Sequence, residues 1–248
     1  MASRSSETSF QAAWNPERDS MPYSDPWGSP GAYSTILVEG PPPTPVFLDR
    51  HMKRLTQSLR LLDLNTALPL KFVEDAILNT AISNPETPYM IRVAITHAGL
   101  FICKLPQSGK ESELRGIFCT VRRRLPSAKS MMDIELHRIV QTLDRNHEEC
   151  ILMSEDGRIL EGATSNLLFV QNKNIIAPVR DNLPGITRQI LKECLPNDWI
   201  WQESDVRVEH LEDVEEILVC GSGKGVSCLK SLPEVRWKNK SMKAFNKF

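Results

Sequence analysis

The sequence predicts an α+β protein in two domains: a small N-terminal α+β domain and a larger, mostly β C-terminal domain with packed helices. Three observations carry that prediction. Helical periodicity is concentrated between residues 49 and 83. Short apolar runs separated by turn residues dominate from residue 89 onward. The stretch 106-PQSGKESE-113 is polar, contains Pro and Gly, and has no periodicity, which marks an interdomain linker. The expected organisation is a poorly ordered tail and loop over 1–29, a small α+β domain over 30–106, a linker over 107–114 and the larger domain over 115–248.

Each element has its own signal. After the turn-rich 22-PYSDPWGSPG-31, the run 32-AYSTILVEG-40 reads as a strand, closed by 41-PPPTP-45 and followed by a short strand, Val46 to Leu48. Asp49 is placed to cap a helix to about Leu62, with Leu55, Leu59 and Leu62 on one face. A second helix covers Leu70 to Ser83 with Val73, Ala76, Ile77 and Ala81 inward. Strands 89-YMIRVAIT-96 and 100-LFICKL-105 follow, joined at 97-HAG-99. Beyond the linker come a strand at 116-GIFCTV-121, a helix from about Met132 to Asn146, and a hairpin with arms Ile151–Ser154 and Arg158–Leu160. Further strands are expected at 166–170, 174–179 and 216–220, with a helix opening at 184-PGITRQILKECL-195 and closing segments at 206–211 and 226–232.

Composition narrows the function. The chain has 248 residues, 41% hydrophobic and 25% charged, with a net charge of −1, so electrostatics give no case for nucleic acid or a membrane surface as partner. The N-terminal segment lacks an apolar signal core, and no apolar run is long enough to span a bilayer. The six cysteines are scattered without metal or disulfide spacing, so no metal site is expected and a reducing, cytoplasmic setting fits.

Two turns could hold a phosphate. In 183-LPGITR-188 a Pro-Gly pair opens a helix whose first N–H groups, with the Thr187 hydroxyl, favour an anion. In 221-GSGKGVS-227 three glycines could form an anion nest, but the position of Lys224 does not match a Walker loop. Glu161 in 161-EGATSNLLFV-170 ends an apolar run and is followed by small polar residues.

Taken with Lys129 in 127-SAKSMMDI-134, the order Lys129, Glu161, LPGITR, GSGKGVS resembles the fold-type IV family of pyridoxal-phosphate enzymes. These include branched-chain and D-amino-acid aminotransferases and 4-amino-4-deoxychorismate lyase. The likeness is strongest in 157-GRILEGATSNLLFV-170 and 183-LPGITR-188 and extends from about Pro30 to Leu232. It implies a D-amino-acid aminotransferase-like fold, a homodimer, and pyridoxal 5'-phosphate as cofactor. It also implies that Lys129 forms the Schiff base and moves the proton, and that Glu161 pairs with the pyridinium nitrogen. By the same resemblance, Arg54 binds the phosphate together with Ile186, Thr187 and Ser222, the last standing where the family usually has threonine. Tyr33 matches a position lining the substrate pocket and Arg122 a basic residue just upstream of the lysine, while His97 stands near a substrate-carboxylate site where the family often has arginine-glycine.

The departures fall mostly around the substrate. Met132 stands where the family commonly has asparagine, and Ile134 where the branched-chain enzymes usually have tyrosine. The family's opening strands are not evident in the polar first thirty residues, and Lys224 would add a second positive charge near the phosphate. The expectation is an aminotransferase acting on a small amino acid and a 2-oxo acid. A lyase that releases pyruvate, and a cofactor-binding homologue with a decayed site, are the alternatives.

Overall fold

The computed structural model describes residues 10–107, 114–240 and 244. The chain divides into two compact units between Gln107 and Ser108. Residues 108–113, where the linker is expected, lie outside the described residues, and Leu114 already begins a strand.

The first unit is a six-stranded sheet with two helices on one face. Its strands are β1 (Gln11–Trp14), β2 (Ser20–Met21), β3 (Gly31–Glu39), β4 (Thr44–Pro45), β5 (Tyr89–Thr96) and β6 (Gly99–Leu105), in the order β2-β1-β6-β5-β3-β4. Helix α1 (Leu48–Leu61) buries Leu55 and Leu59, and α2 (Leu70–Ile82) buries Val73, Ala76, Ile77 and Ala81. These side chains pack on Ile36, Val38, Ile91, Val93, Ile95 and Ile102, alternate residues of β3, β5 and β6.

Several sequence expectations are corrected here. Gln11–Trp14 is not part of a loose tail: it pairs with β6 through Gln11↔Cys103 to Trp14↔Leu100, and Trp14 meets Phe72 edge to face. β6 would otherwise expose an edge of unpaired backbone groups, so the ladder recruits the segment without any apolar alternation. Residues 1–9 lie outside the described residues. The strand expected over Val46–Leu48 is instead Thr44–Pro45, and Phe47 turns the chain with φ 52 into a helix that starts at Leu48. Asp49 therefore sits in the first turn and does not cap.

The second unit holds a nine-stranded sheet of β7 (Leu114–Cys119), β8 (Glu148–Met153), β9 (Arg158–Gly162), β10 (Asn166–Gln171), β11 (Asn174–Ala177), β12 (Ile200–Glu203), β13 (Val206–Arg207), β14 (Glu216–Gly221) and β15 (Gly225–Ser231). Its order is β12-β11-β10-β14-β15-β7-β8-β9-β13, with helices α3 (Ile134–Thr142) and α4 (Ile186–Glu193). Helix α3 is shorter than expected, β12 has no signal in the sequence, and the closing segment 206–211 is a strand only to Arg207 and continues as a 3-10 turn, Val208–Asp213.

The order forces this sheet to curl. On a flat sheet β9 and β10 would lie roughly 24 Å apart, five strand spacings. Residues 163–165, which join them, reach at most about 14 Å. The β9 end of the sheet therefore swings round to the start of β10, and the turn 161–166 bridges a seam where β9 and β10 form no ladder with each other.

Candidate active site

A bulge decides where Glu161 points. β9 pairs with β8 through Ile151↔Gly162 and Leu152↔Glu161, but the next pair is Met153↔Ile159. Leu160 is thus the extra residue, and it turns Glu161 onto the face that carries Leu152 and Leu160. With regular alternation Glu161 would share the face of Ile159 and enter an apolar cluster.

On its actual face Glu161 is 2% exposed and meets Arg123. Arg123 Nε donates to Glu161 Oε1 at 2.6 Å, Nη1 to Asp133 Oδ2 at 3.2 Å, and Nη2 to the Ala163 carbonyl at 3.3 Å. Asp133 Oδ1 accepts the N–H of Arg124. Arg123 and Asp133 thereby close the loop between β7 and α3 at both ends, and Lys129, buried, lies within it. One guanidinium thus faces two buried carboxylates.

The other oxygen of Glu161 holds the next turn. Leu183 N–H donates to Glu161 Oε2 at 3.0 Å, and the Leu183 carbonyl accepts Asn166 Nδ2 at 2.8 Å. Both polar backbone groups of Leu183 are thus bound by side chains from the two sides of the seam. Gly185, which precedes α4, is pressed against the same asparagine: a Cβ there would lie 1.7 Å from Asn166 Oδ1. This fixes the N-terminus of α4, where Ile186 is buried and Thr187 half-buried.

The remaining expected residues are placed as follows. Ser222 is half-buried in the turn between β14 and β15. Lys224, expected to add charge beside a phosphate, is instead neutralised: its Nζ donates to Glu149 Oε2 at 2.8 Å, both side chains being buried. Arg122 is exposed, and the buried member of 122-RRR-124 is Arg123. In the first unit Arg54 is buried and donates through Nη2 to Ser34 Oγ at 2.8 Å, and that hydroxyl lies 2.8 Å from His51 Nδ1. Tyr33 is half-buried, 5.0 Å from Trp27 ring to ring, on the sheet face opposite the helices. His97 is exposed in the turn between β5 and β6.

Sequence reasoning missed Arg123, Asp133 and Asn166. Only burial separates Arg123 from its neighbours; Asn166 could have been suspected as a polar residue opening a strand of apolar ones. Burial pushes the Cys220 thiol up to about 12 and raises that of Cys150 as well, so neither of these two is a rival nucleophile. Among the described residues no group of three His, Cys, Asp or Glu is arranged to hold a metal, and no helix is long and apolar enough to cross a membrane.

The family model described as amino-transferase class IV matches residues 31–232. The chain belongs to this family. Among curated proteins, this class IV chain is 22% identical over 203 residues to branched-chain-amino-acid aminotransferase-like protein 2 of Arabidopsis thaliana, covering 71% of this chain and 36% of that one. A probable branched-chain-amino-acid aminotransferase of Rickettsia conorii is 31% identical over 88 residues, 35% of this chain and 30% of that one. The chain spans about a third of the length of the curated relatives it matches. Among solved structures, a hypothetical aminotransferase from Mycobacterium tuberculosis in a PLP-bound form superposes with a TM-score of 0.74 at 17% identity, covering 94% of this chain and 95% of that one. The 4-amino-4-deoxychorismate lyase of Pseudomonas aeruginosa gives 0.73 at 20% identity, over 95% and 96%. The class IV fold is therefore shared along nearly the whole chain.

Proposed function

We propose that this chain is a pyridoxal-phosphate-dependent aminotransferase that exchanges an amino group between a small amino acid and a 2-oxo acid, with Lys129 as its catalytic lysine. The observation that carries the reading is the sealed carboxylate of Glu161, held by Arg123 and Leu183 N–H where the Lys129 loop, the end of β9 and the LPGIT turn meet.

The residues of the second unit fit the cofactor. A buried carboxylate with a spare lone pair on each oxygen suits a pyridinium N–H. The first N–H groups of α4, with the Thr187 and Ser222 hydroxyls, suit a phosphate. Ser165 Oγ, beside the same turn, is buried with no hydrogen-bond partner among the described residues, a donor left over for a ligand. The amine of Lys129 suits an aldehyde.

Bound there, pyridoxal phosphate would supply an electron sink for the carbanion that forms at the substrate's Cα. Glu161 holds a proton on the ring nitrogen. Lys129 Nζ, set in a loop closed by Arg123 and Asp133, would take the proton from the substrate's Cα and deliver it to the cofactor's C4′. Close packing at Gly162 and Gly185 excludes water from the wall of the site.

The test is spectral. Protein reconstituted with pyridoxal phosphate should absorb as a bound chromophore and change spectrum with an amino donor, then recover with a 2-oxo acid. A protein that never takes up the cofactor ends this reading. Pyruvate released from 4-amino-4-deoxychorismate without an added acceptor replaces it with the lyase reading. A homodimer in the cytoplasm belongs to the same proposal, the first checked by sedimentation and the second by fractionation.

A further inference from the structure

Lys224 and Glu149 form a buried ion pair that the mechanism above does not use. Their side chains are 6% and 1% exposed, and they lie 75 positions apart in sequence. Glu149 sits near the start of β8, and its carboxylate crowds the turn after β9: a Cβ on Gly162 would lie 3.0 Å from Glu149 Oε1 and 2.1 Å from Ser165 Oγ. Lys224 belongs to the turn between β14 and β15, two residues beyond Ser222. Gly221, at the base of that turn, would place a Cβ 3.4 Å from the Thr164 carbonyl. The two turns therefore touch at the seam where the curled sheet closes without a β9–β10 ladder. The Lys224–Glu149 bond crosses this seam.

Two charges removed from water cost free energy that a surface location would spare, and the pair persists in the unit's interior where apolar residues would pack. We propose that Lys224 and Glu149 are positioning residues, a staple that holds the 221–225 turn at the distance from the 161–165 turn that a cofactor phosphate requires. The proposal rests on the reading above that Ser222 and its turn bind that phosphate. Neither residue touches the reacting atoms. Their effect is on the affinity for a phosphate-bearing ligand.

The test compares pyridoxal phosphate with pyridoxal, which lacks the phosphate, in spectral titrations of the full chain. The wild type should prefer the phosphorylated ligand. The paired variant Glu149→Gln with Lys224→Met removes both charges without leaving one stranded. It should lose at least ten-fold in affinity for pyridoxal phosphate while its affinity for pyridoxal is unchanged. The exchange Glu149→Lys with Lys224→Glu restores the bond in reverse and should recover most of the preference. A neutral pair variant that folds by circular dichroism and keeps the wild-type ratio overturns the staple. Should that variant fail to fold, the reversed pair decides: a folded Glu149→Lys with Lys224→Glu protein that keeps the wild-type ratio supports the proposal, and one that loses the preference overturns it. A wild type that does not distinguish the two ligands overturns the phosphate reading itself, and the staple with it.

Discussion

The two ends of β9 carry the same chemistry in opposite surroundings. At its start Arg158 pairs with Asp156, whose side chain is 52% exposed, at the tip of a surface turn. At its end Glu161 pairs with Arg123, both side chains 2% exposed. Near the surface such a pair competes with water and salt and stabilises little. In the interior each ion depends on its partner, because neither can be solvated if the other is lost. Three residues separate a decorative ion pair from one that fixes the candidate site, and the bulge at Leu160 is what turns the second inward.

The largest effect expected from breaking this contrast is at the buried end. Arg123→Ala strands Glu161 and Asp133 and should lower the unfolding free energy by about 3–5 kcal/mol, with loss of turnover. Denaturant titration alongside an activity assay measures both; a cost under 1 kcal/mol would show that the pair is not sealed. Glu161→Gln keeps the shape and should retain cofactor while slowing the proton-transfer steps, seen as a fall in kcat. Full activity in that variant would remove Glu161 from its role at the ring nitrogen.

An intermediate effect is expected at Asn166, which ties the Leu183 carbonyl to β10. Asn166→Ala should cost about 1–3 kcal/mol by leaving a buried carbonyl unsatisfied, and it should weaken cofactor binding by loosening the start of α4. The smallest effect belongs to the exposed end. The Ser154 hydroxyl, followed by Arg158, pulls the Asp156 carboxyl down to about 2. A folded pKa below the unfolded value, about 3.9, contributes stability that is present above that value and lost as the pH falls toward 2. Asp156→Asn should therefore be slightly less stable than wild type at neutral pH, and the gap should close between about pH 4 and pH 2 in thermal melts. A gap that widens on acidification would reverse the assignment.

The same contrast explains what the sequence could and could not reveal. Local periodicity suffices for α1 and α2, whose inward residues Leu55, Leu59, Val73 and Ile77 pack as their spacing requires. It fails for β1, because Gln11–Trp14 is a strand by virtue of the β6 edge and not of its own pattern. Glu161 stands out in the sequence only as an unexplained carboxylate, and family resemblance gives it a role. Its partner could not be read from 122-RRR-124, since three identical side chains differ only in which one the fold buries. Lys224 and Glu149 lie further still from local reasoning, because their meeting depends on closure of the whole nine-stranded sheet.

Borohydride reduction of the protein loaded with pyridoxal phosphate, followed by peptide mapping, tests the central claim most directly. The account predicts a cofactor adduct on Lys129 in the wild type and none in a folded Lys129→Ala variant. An adduct confined to another lysine, or no adduct on Lys129 in a folded protein, would contradict it.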